Sequence, residues 1–384
     1  MNGHRIRAGW RAFSRSFSRE TASSFRRPVI HWLCWCFPLL LFTLIASNFS
    51  EGTLLDLPVS VVDNDNSTMS KALVRHLDAG SHAKVQAYDG GLQQALNRLR
   101  SGDDYSLLYI PPKFEADVLA GRQPSAVLYY NALFYGAGFY STQDFSGVMT
   151  DLNSSYRSFI AAAIGKPAPT LANVQLNYDS LFNASGSYIY FQQFAATIHM
   201  LQLFTVTCMI YVMARSQSLL GSQSFTLALL GKLAPYTLCF TTLLMVEIAL
   251  LVWVFDARVS GNPIFMLLIA FFYVMAAQSI GILLFTFTGT TINAYTLMGI
   301  FVSLAFTFSG TSVPELSMPL FARIIAEIEP LTHALAAMFD VFLRQVPVSH
   351  IISVCALLLV YPFITGILVH KRLYLRLKKQ EAGK

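Results

Sequence analysis

A few polar side chains fall inside long apolar stretches of this sequence. Such groups are expensive at membrane depth unless they pair or serve a pathway. Gln192, Gln193, Thr197, His199 and Gln202 occupy the outer half of one stretch. Separations of 7 and 3 residues bring Gln192, His199 and Gln202 to one helical face, where they can line a polar cavity or hydrogen-bond to a neighbouring helix as packing. Glu247 is an acid in the middle of another stretch, within Leu243-Leu244-Met245-Val246-Glu247-Ile248-Ala249-Leu250. It can carry a proton or meet a cation, or stay neutral and bond to an adjacent helix such as that of Gln278; a proton relay usually needs a second ionisable partner, which favours the structural role. Gly299, Ser303 and Thr307 recur at four-residue intervals, a small-polar face suited to a subunit interface or a pore wall.

Catalytic constellations do not assemble. The phosphate-cradling pattern G-x-x-x-x-G-K-[ST] is missing, since Gly231-Lys232 is followed by Leu233. No His, Cys and carboxylate cluster has metal-ligand spacing, and no nucleophile, base and orienting group can be gathered on one side of a membrane. The chain is therefore expected to be no enzyme by itself and to hold no cofactor.

The elements that position these residues follow from composition. Of 384 residues, 54% are hydrophobic and 12% charged, where a soluble domain has about a quarter charged. Six runs suit a membrane span of about 20 residues: Val29 to Ser47, Tyr188 to Met213, Leu233 to Phe255, Pro263 to Phe287, Ala294 to Ser312 and Ile351 to His370. The first exceeds a secretory signal core and lacks a small-x-small cleavage site, so it reads as an uncleaved anchor. Residues 1–28 carry Arg5, Arg7, Arg11, Arg15, Arg19, Arg26 and Arg27 against Glu20, and the tail 371–384 carries Lys371, Arg372, Arg376, Lys378, Lys379 and Lys384 against Glu381. Residues 50–187 hold 13 acidic and 9 basic side chains. Positive charge stays cytoplasmic, so both termini are expected inside a plasma or inner membrane, with the acidic segment exported. The basic ends suit lipid headgroups, and no recognition fold for nucleic acid surrounds them.

The fold class expected is thus a six-span α-helical polytopic membrane protein with an α/β extracytoplasmic domain inserted between spans one and two. Its parts are an interfacial basic helix at 1–28, a first span at 29–49, the exported domain at 50–187, spans two to six within 188–370 and a cytoplasmic tail at 371–384. Trp10, Phe13, Phe17 and Phe25 alternate with arginines near helical spacing, which favours an interfacial helix over a disordered arm. All five cysteines, Cys34, Cys36, Cys208, Cys239 and Cys355, fall in expected spans, and Cys34-x-Cys36 reads as lipid-facing packing.

In the exported segment, strands are expected at Pro58 to Asp63, Ala83 to Tyr88, Ser106 to Ile110 and Ala126 to Tyr130. Helices alternate with them: one capped by Asn66 or Ser67 and ending at Leu77, then Leu92 to Arg100 and Phe114 to Ala120. Such alternation predicts a small, mainly parallel sheet. A helix from Tyr140 to Ile164 and a stiff link at Gly165-Lys166-Pro167-Ala168-Pro169 complete it. The sequons at Asn66, Asn153 and Asn183 read as caps and turns. Residues 314–348 are too broken to cross, and Pro319 and Pro330 divide them into two short amphipathic helices on or dipping into the outer leaflet.

In this order, the features resemble the permease subunits of type-2 ABC exporters that carry a large extracytoplasmic domain. The matching pieces are the Arg/aromatic start, Leu57-Pro58-Val59-Ser60-Val61-Val62-Asp63-Asn64-Asp65-Asn66-Ser67, Tyr109-Ile110-Pro111-Pro112-Lys113-Phe114 and Asn183. Near the C-terminus, Phe308-Ser309-Gly310 through Pro314, Met318-Pro319 and Glu329-Pro330-Leu331-Thr332-His333 are similar to the family's signature before the last span. The resemblance implies export of a hydrophobic or amphipathic compound, a second permease copy or paralogue, and a separate cytoplasmic ATPase that uses ATP and Mg. It also implies that residues after span two, here Arg215, Gly221 and Lys232, couple to that ATPase. The family's R-E-x-E-x-G-T is represented by Ala214-Arg215-Ser216-Gln217-Ser218-Leu219-Leu220-Gly221-Ser222, which keeps the Arg and a Gly-Ser but neither glutamate. An envelope adaptor docking on the exported domain is left open. The rival reading is a non-transporting membrane protein whose exported domain binds another envelope component, and a proton-driven carrier is a third.

Overall fold

The computed structural model describes residues 2–382 apart from 88–89, 121, 123, 133, 165–182 and 184–185. The link expected at 165–169 lies outside the described residues. The chain divides into two compact units, Met1–Ser50 with Ser180–Lys384, and Glu51–Asp179.

The first unit opens with α1 (Asn2–Phe25), on which Trp10 stacks with Phe13 and Phe13 with Phe17. The 3- and 4-residue spacing of these rings is that of one helical face. Next come α2 (Pro28–His31), a π-helical turn at Trp32–Cys36 and α3 (Phe37–Asn48), continuous as the apolar segment Pro28–Asn48. Cys34 is buried, with its Sγ 3.8 Å from that of Cys208, whereas Cys36 is exposed. This corrects the expectation that both cysteines face lipid, since helical neighbours two apart point to different sides.

The second unit contains β1 (Leu57–Asp63), α4 (Thr68–Asp78), β2 (Ala83–Ala87), α5 (Leu92–Ser101), β3 (Ser106–Ile110), α6 (Phe114–Leu119), β4 (Val127–Tyr130) and α7 (Tyr135–Ile164). The strand order is β2-β1-β3-β4, with β1 parallel to β2 and β3, and β4 antiparallel to β3. Local chemistry sets these boundaries. Asp63 Oδ1 accepts from the amides of Asp65 and Asn66, Ser67 Oγ caps α4 through the Ser70 amide, and Gly102 ends α5 at φ 85°. Alternation along β1 sends Val59 and Val61 toward Met69, Leu73 and Leu77, and Val62 toward Ala95, Leu99 and Leu107. Two carboxylates, the buried Asp104 and the half-buried Asp144, tie this unit together. Asp104 accepts from Arg98 Nε at 2.8 Å, Arg98 Nη2 at 3.0 Å and the Ser60 hydroxyl, while Asp144 accepts from the amides of His82 and Ala83 at 3.0 Å.

The chain returns to the first unit through a π-helical turn at Ile189–Gln193 that runs into α8 (Phe194–Met213). It continues with α9 (Phe225–Val254), α10 (Pro263–Phe287), α11 (Thr291–Thr307), α12 (Leu320–Ile328), α13 (Pro330–Leu343) and α14 (Val348–Ala382). Among the described residues, five segments are long and apolar enough to cross a membrane: Pro28–Asn48, Ile189–Met213, Phe225–Val254, Pro263–Phe287 and Val348–Ala382. The stretch expected as Ala294 to Ser312 is the shorter apolar helix α11, which stops at Thr307 ahead of Gly310, where φ is 84°.

Packing centres on α8 and α10. A Cβ on Gly281 would stand 2.7 Å from that of Met209, so the two helices approach closely. α10 also packs against α9, α13 and α14, and α1 lies along α9. The residues expected to form two short surface helices behave differently from each other. α12 exposes Leu320, Phe321, Ile324 and Ile328, whereas Leu331, Leu335, Met338 and Phe342 bury α13, with Phe342 stacked on Phe194 at 4.2 Å.

Candidate functional site

The polar residues of α8 and of the π-helical turn that leads into it separate into two sites. Gln192 and His199 open, together with Ala196 and Met200, into a cleft of about 490 Å³ whose other walls are Leu44, Ile45, Asn48 and Phe49 from the end of α3, and Phe306 from α11. The His199 ring packs against Phe306 with centroids 4.6 Å apart, and its Nδ1 has no partner among the described residues. The result is a largely apolar recess with three polar side chains, Asn48, Gln192 and His199. That mixture suits a molecule with one greasy and one polar end.

Gln202 does not join them. It is buried, and its Nε2 donates to Glu329 Oε1 at 2.5 Å, tying α8 to the break between α12 and α13. Three residues rotate a helix by roughly 300°, so Gln202 lies about 60° from His199, enough to turn it out of the cleft. Around the same break, Tyr361 Oη donates to the Ile328 carbonyl at 3.0 Å. Glu329 thus emerges as a polar anchor that periodicity did not indicate, because its partner is 127 residues away.

Ser303 and Thr307 are exposed, and a Cβ on Gly299 would meet nothing within 4 Å. Phe306, between them in sequence, borders the cleft while they do not. Glu247 is buried in α9, but Gln278 is engaged elsewhere: its Oε1 accepts from Thr237 at 3.0 Å and its Nε2 donates to the Leu233 carbonyl. Gln278 thus bonds to α9 away from Glu247. Both of Gln278's partners lie on α9 near Lys232, about three to four turns before Glu247.

The residues after α8 gather at one end of this unit. Arg215 is exposed, its guanidinium 3.9 Å over the Tyr211 ring, and Gly221 stands in open space. Phe225, at the start of α9, packs edge-on against His370 and Tyr374 of α14. Lys232 differs from Arg215 and Gly221. It is 2% exposed and pairs with the buried Glu20 of α1, which also accepts from Tyr236 Oη at 2.8 Å. Buried in this way, Lys232 offers no surface for direct contact with a soluble partner. Close approach allows the pairing, since a Cβ on Gly231 would fall 2.3 Å from the Phe13 carbonyl oxygen. The one cue to Glu20 in the sequence is its position as the single acid among seven arginines. Among the described residues, no group of three or more His, Cys, Asp or Glu side chains could hold a metal ion.

Apolar helices long enough to cross a bilayer, with polar groups buried between them, define a polytopic helical membrane protein. The chain belongs to the ABC-2 transporter family: residues 29–370 match ABC2_membrane_3, the ABC-2 family transporter protein. It is similar to the inner membrane transport permease YhhJ of Escherichia coli (strain K12), 25% identical over 323 residues that cover 77% of this chain and 80% of that one. The Shigella flexneri protein of the same name is similar to the same extent. Membership implies partnership with an ATPase subunit and a transport role rather than an enzymatic one for this chain.

Proposed function

We propose that this chain is the permease subunit of an ATP-driven exporter that moves hydrophobic or amphipathic compounds out of the cytoplasm or inner leaflet, with ATP and Mg handled by a separate subunit. The carrying observation is the family match, which extends from the first long helix into the last. On this reading the protein resides in the inner membrane, as the name of its E. coli relative says of that protein. Both termini are cytoplasmic, and the Glu51–Asp179 unit is extracytoplasmic. α11 supplies the fifth of six spans, since 17 residues rise about 26 Å, close to the hydrocarbon thickness.

Coupling runs through the exposed turn carrying Arg215 and Gly221, and through α1, which Glu20 and Lys232 clamp to α9. The cleft of Gln192 and His199 receives cargo. The open Gly299, Ser303 and Thr307 face of α11 meets a second permease, where Ser303 and Thr307 border the path from the opposite side. Gln202 is an anchor rather than a contact for cargo.

The test is reconstitution with the candidate ATPase and export of several chemically distinct amphipaths. His199→Leu should shift the order in which compounds are exported while leaving the melting temperature nearly unchanged. Gln202→Leu leaves the buried Glu329 without its side-chain donor, and should lower stability by about 1–3 kcal/mol and reduce export of every compound alike. Equal behaviour of the two variants would refute the cleft as the path, and absence of ATP-dependent export by the wild-type complex would refute the function.

A further inference from the structure

At the end of the unit that carries Arg215 and the base of α14 lies a second cleft, of about 580 Å³, between the C-terminal end of α10 and the last turns of α14. Arg372, Arg376, Lys378 and Lys379 surround it, Thr286 and Thr288 line it with hydroxyls already bonded to backbone carbonyls, and Leu375 gives an exposed apolar wall. No carboxylate lines it, and among the described residues none of the four cations has an ion-pair partner. Two of the cations are held in place. Arg376 donates to the Thr288 carbonyl with its guanidinium 4.1 Å over the Phe285 ring, and Arg372 lies 4.6 Å over the Phe287 ring. Stacked and bonded guanidinium groups lose little further freedom on meeting an anion, and their planar donors suit phosphate oxygens.

Depth identifies the ligand. The apolar part of α14 ends near His370, so Arg372 to Lys379 stand about 3–14 Å beyond it, across the headgroup layer that adds several ångströms to each side of the hydrocarbon. We propose that this cleft binds the headgroup of an anionic phospholipid of the adjoining leaflet, with the phosphate between Arg372 and Lys379 and the glycerol end along Leu375. An acidic protein segment would satisfy the charges but would not call for an apolar wall at headgroup depth.

The experiment uses the full-length protein in detergent, with native mass spectrometry and thermal melting as readouts. Added probes are dioleoylphosphatidylglycerol, dioleoylphosphatidylcholine and inorganic phosphate. Arg372→Gln with Lys379→Gln removes two exposed charges and leaves the Arg376 to Thr288 bond intact; Arg11→Gln with Arg15→Gln on α1 is the control. Retention of phosphatidylglycerol should fall on the order of tenfold in the first variant and little in the control. Phosphatidylcholine should bind weakly to both, and inorganic phosphate should leave the melting temperature unchanged. If the double variant does not yield a monodisperse protein, Lys379→Gln alone carries the test, with a smaller loss of the same lipid. An equal loss in the control would assign the effect to diffuse charge, stabilisation by inorganic phosphate would assign a free-anion site, and unchanged retention of phosphatidylglycerol in the double variant would show that the cleft does not hold the lipid. Each of these results overturns the proposal.

Discussion

In the Glu51–Asp179 unit, Asp104 has no solvent exposure, and burial alone would favour its neutral form. Hydrogen bonds from Arg98 and Ser60, with the charge of Arg98, outweigh that burial and hold the carboxyl below the ordinary carboxylate range. A folded value below the unfolded one means that the stabilisation is fully present above the unfolded value, near 3.9, and is lost as pH falls through the folded value. Arg98→Met should therefore weaken the unit at neutral pH by about 3 kcal/mol, a roughly hundredfold fall in amide-exchange protection of β1 and β3, with the deficit shrinking in acid. Equal protection of variant and parent at neutral pH would refute this account. Such pairings were illegible in the sequence whenever the partners were far apart. Periodicity placed His199 and Gln192 on one side of a helix, but it could not tell Gln202 that Glu329 waits 127 residues on, or join Glu20 to Lys232 across 212.

Elements were legible where local chemistry dictates them. The Asp63-Asn64-Asp65-Asn66 turn, the Ser67 cap and Gly102 fix strand and helix ends within a few residues, and each acts through bonds to its immediate neighbours. The π-helical turns at Trp32–Cys36 and Ile189–Gln193 left no such mark, because one added residue per turn is chosen by packing rather than by composition. Burial of α13 was hidden for a related reason: its few polar residues suggested a surface helix, but its apolar positions meet α8 and α10. Contact between α1 and α9 makes a sharper prediction. Gly231→Ala places a methyl group against the Phe13 carbonyl, where backbone cannot yield as a flexible side chain would, so α1 should lift from α9. Trypsin should then cut at Arg11, Arg15 and Arg19 about tenfold faster, in proportion to a docking loss of roughly 1.4 kcal/mol. Gly221→Ala, with open space at its Cβ, is the control and should leave the cleavage rate unchanged.

For the whole molecule, hydropathy located the five membrane-length apolar helices found among the described residues, and the arginine-rich start and basic tail suggest an orientation that labelling can test. In a background without native cysteines, single cysteines at the exposed positions Ser81 and Ser125 should react with an impermeant reagent applied outside sealed cells, while one at Ala382 should not. Labelling of the tail would invert the topology. The buried pair of Glu20 and Lys232 also has a consequence for how the molecule is made. Translation at about 5–20 residues per second separates the emergence of the two side chains by roughly 10 to 40 s. Throughout that interval α1 has left the ribosome without the cation that will neutralise its buried acid. On the proposed topology, its own arginines and aromatic rings hold it at the bilayer until α9 arrives. An unfinished chain is therefore distinguishable from a finished one by an undocked N-terminal helix.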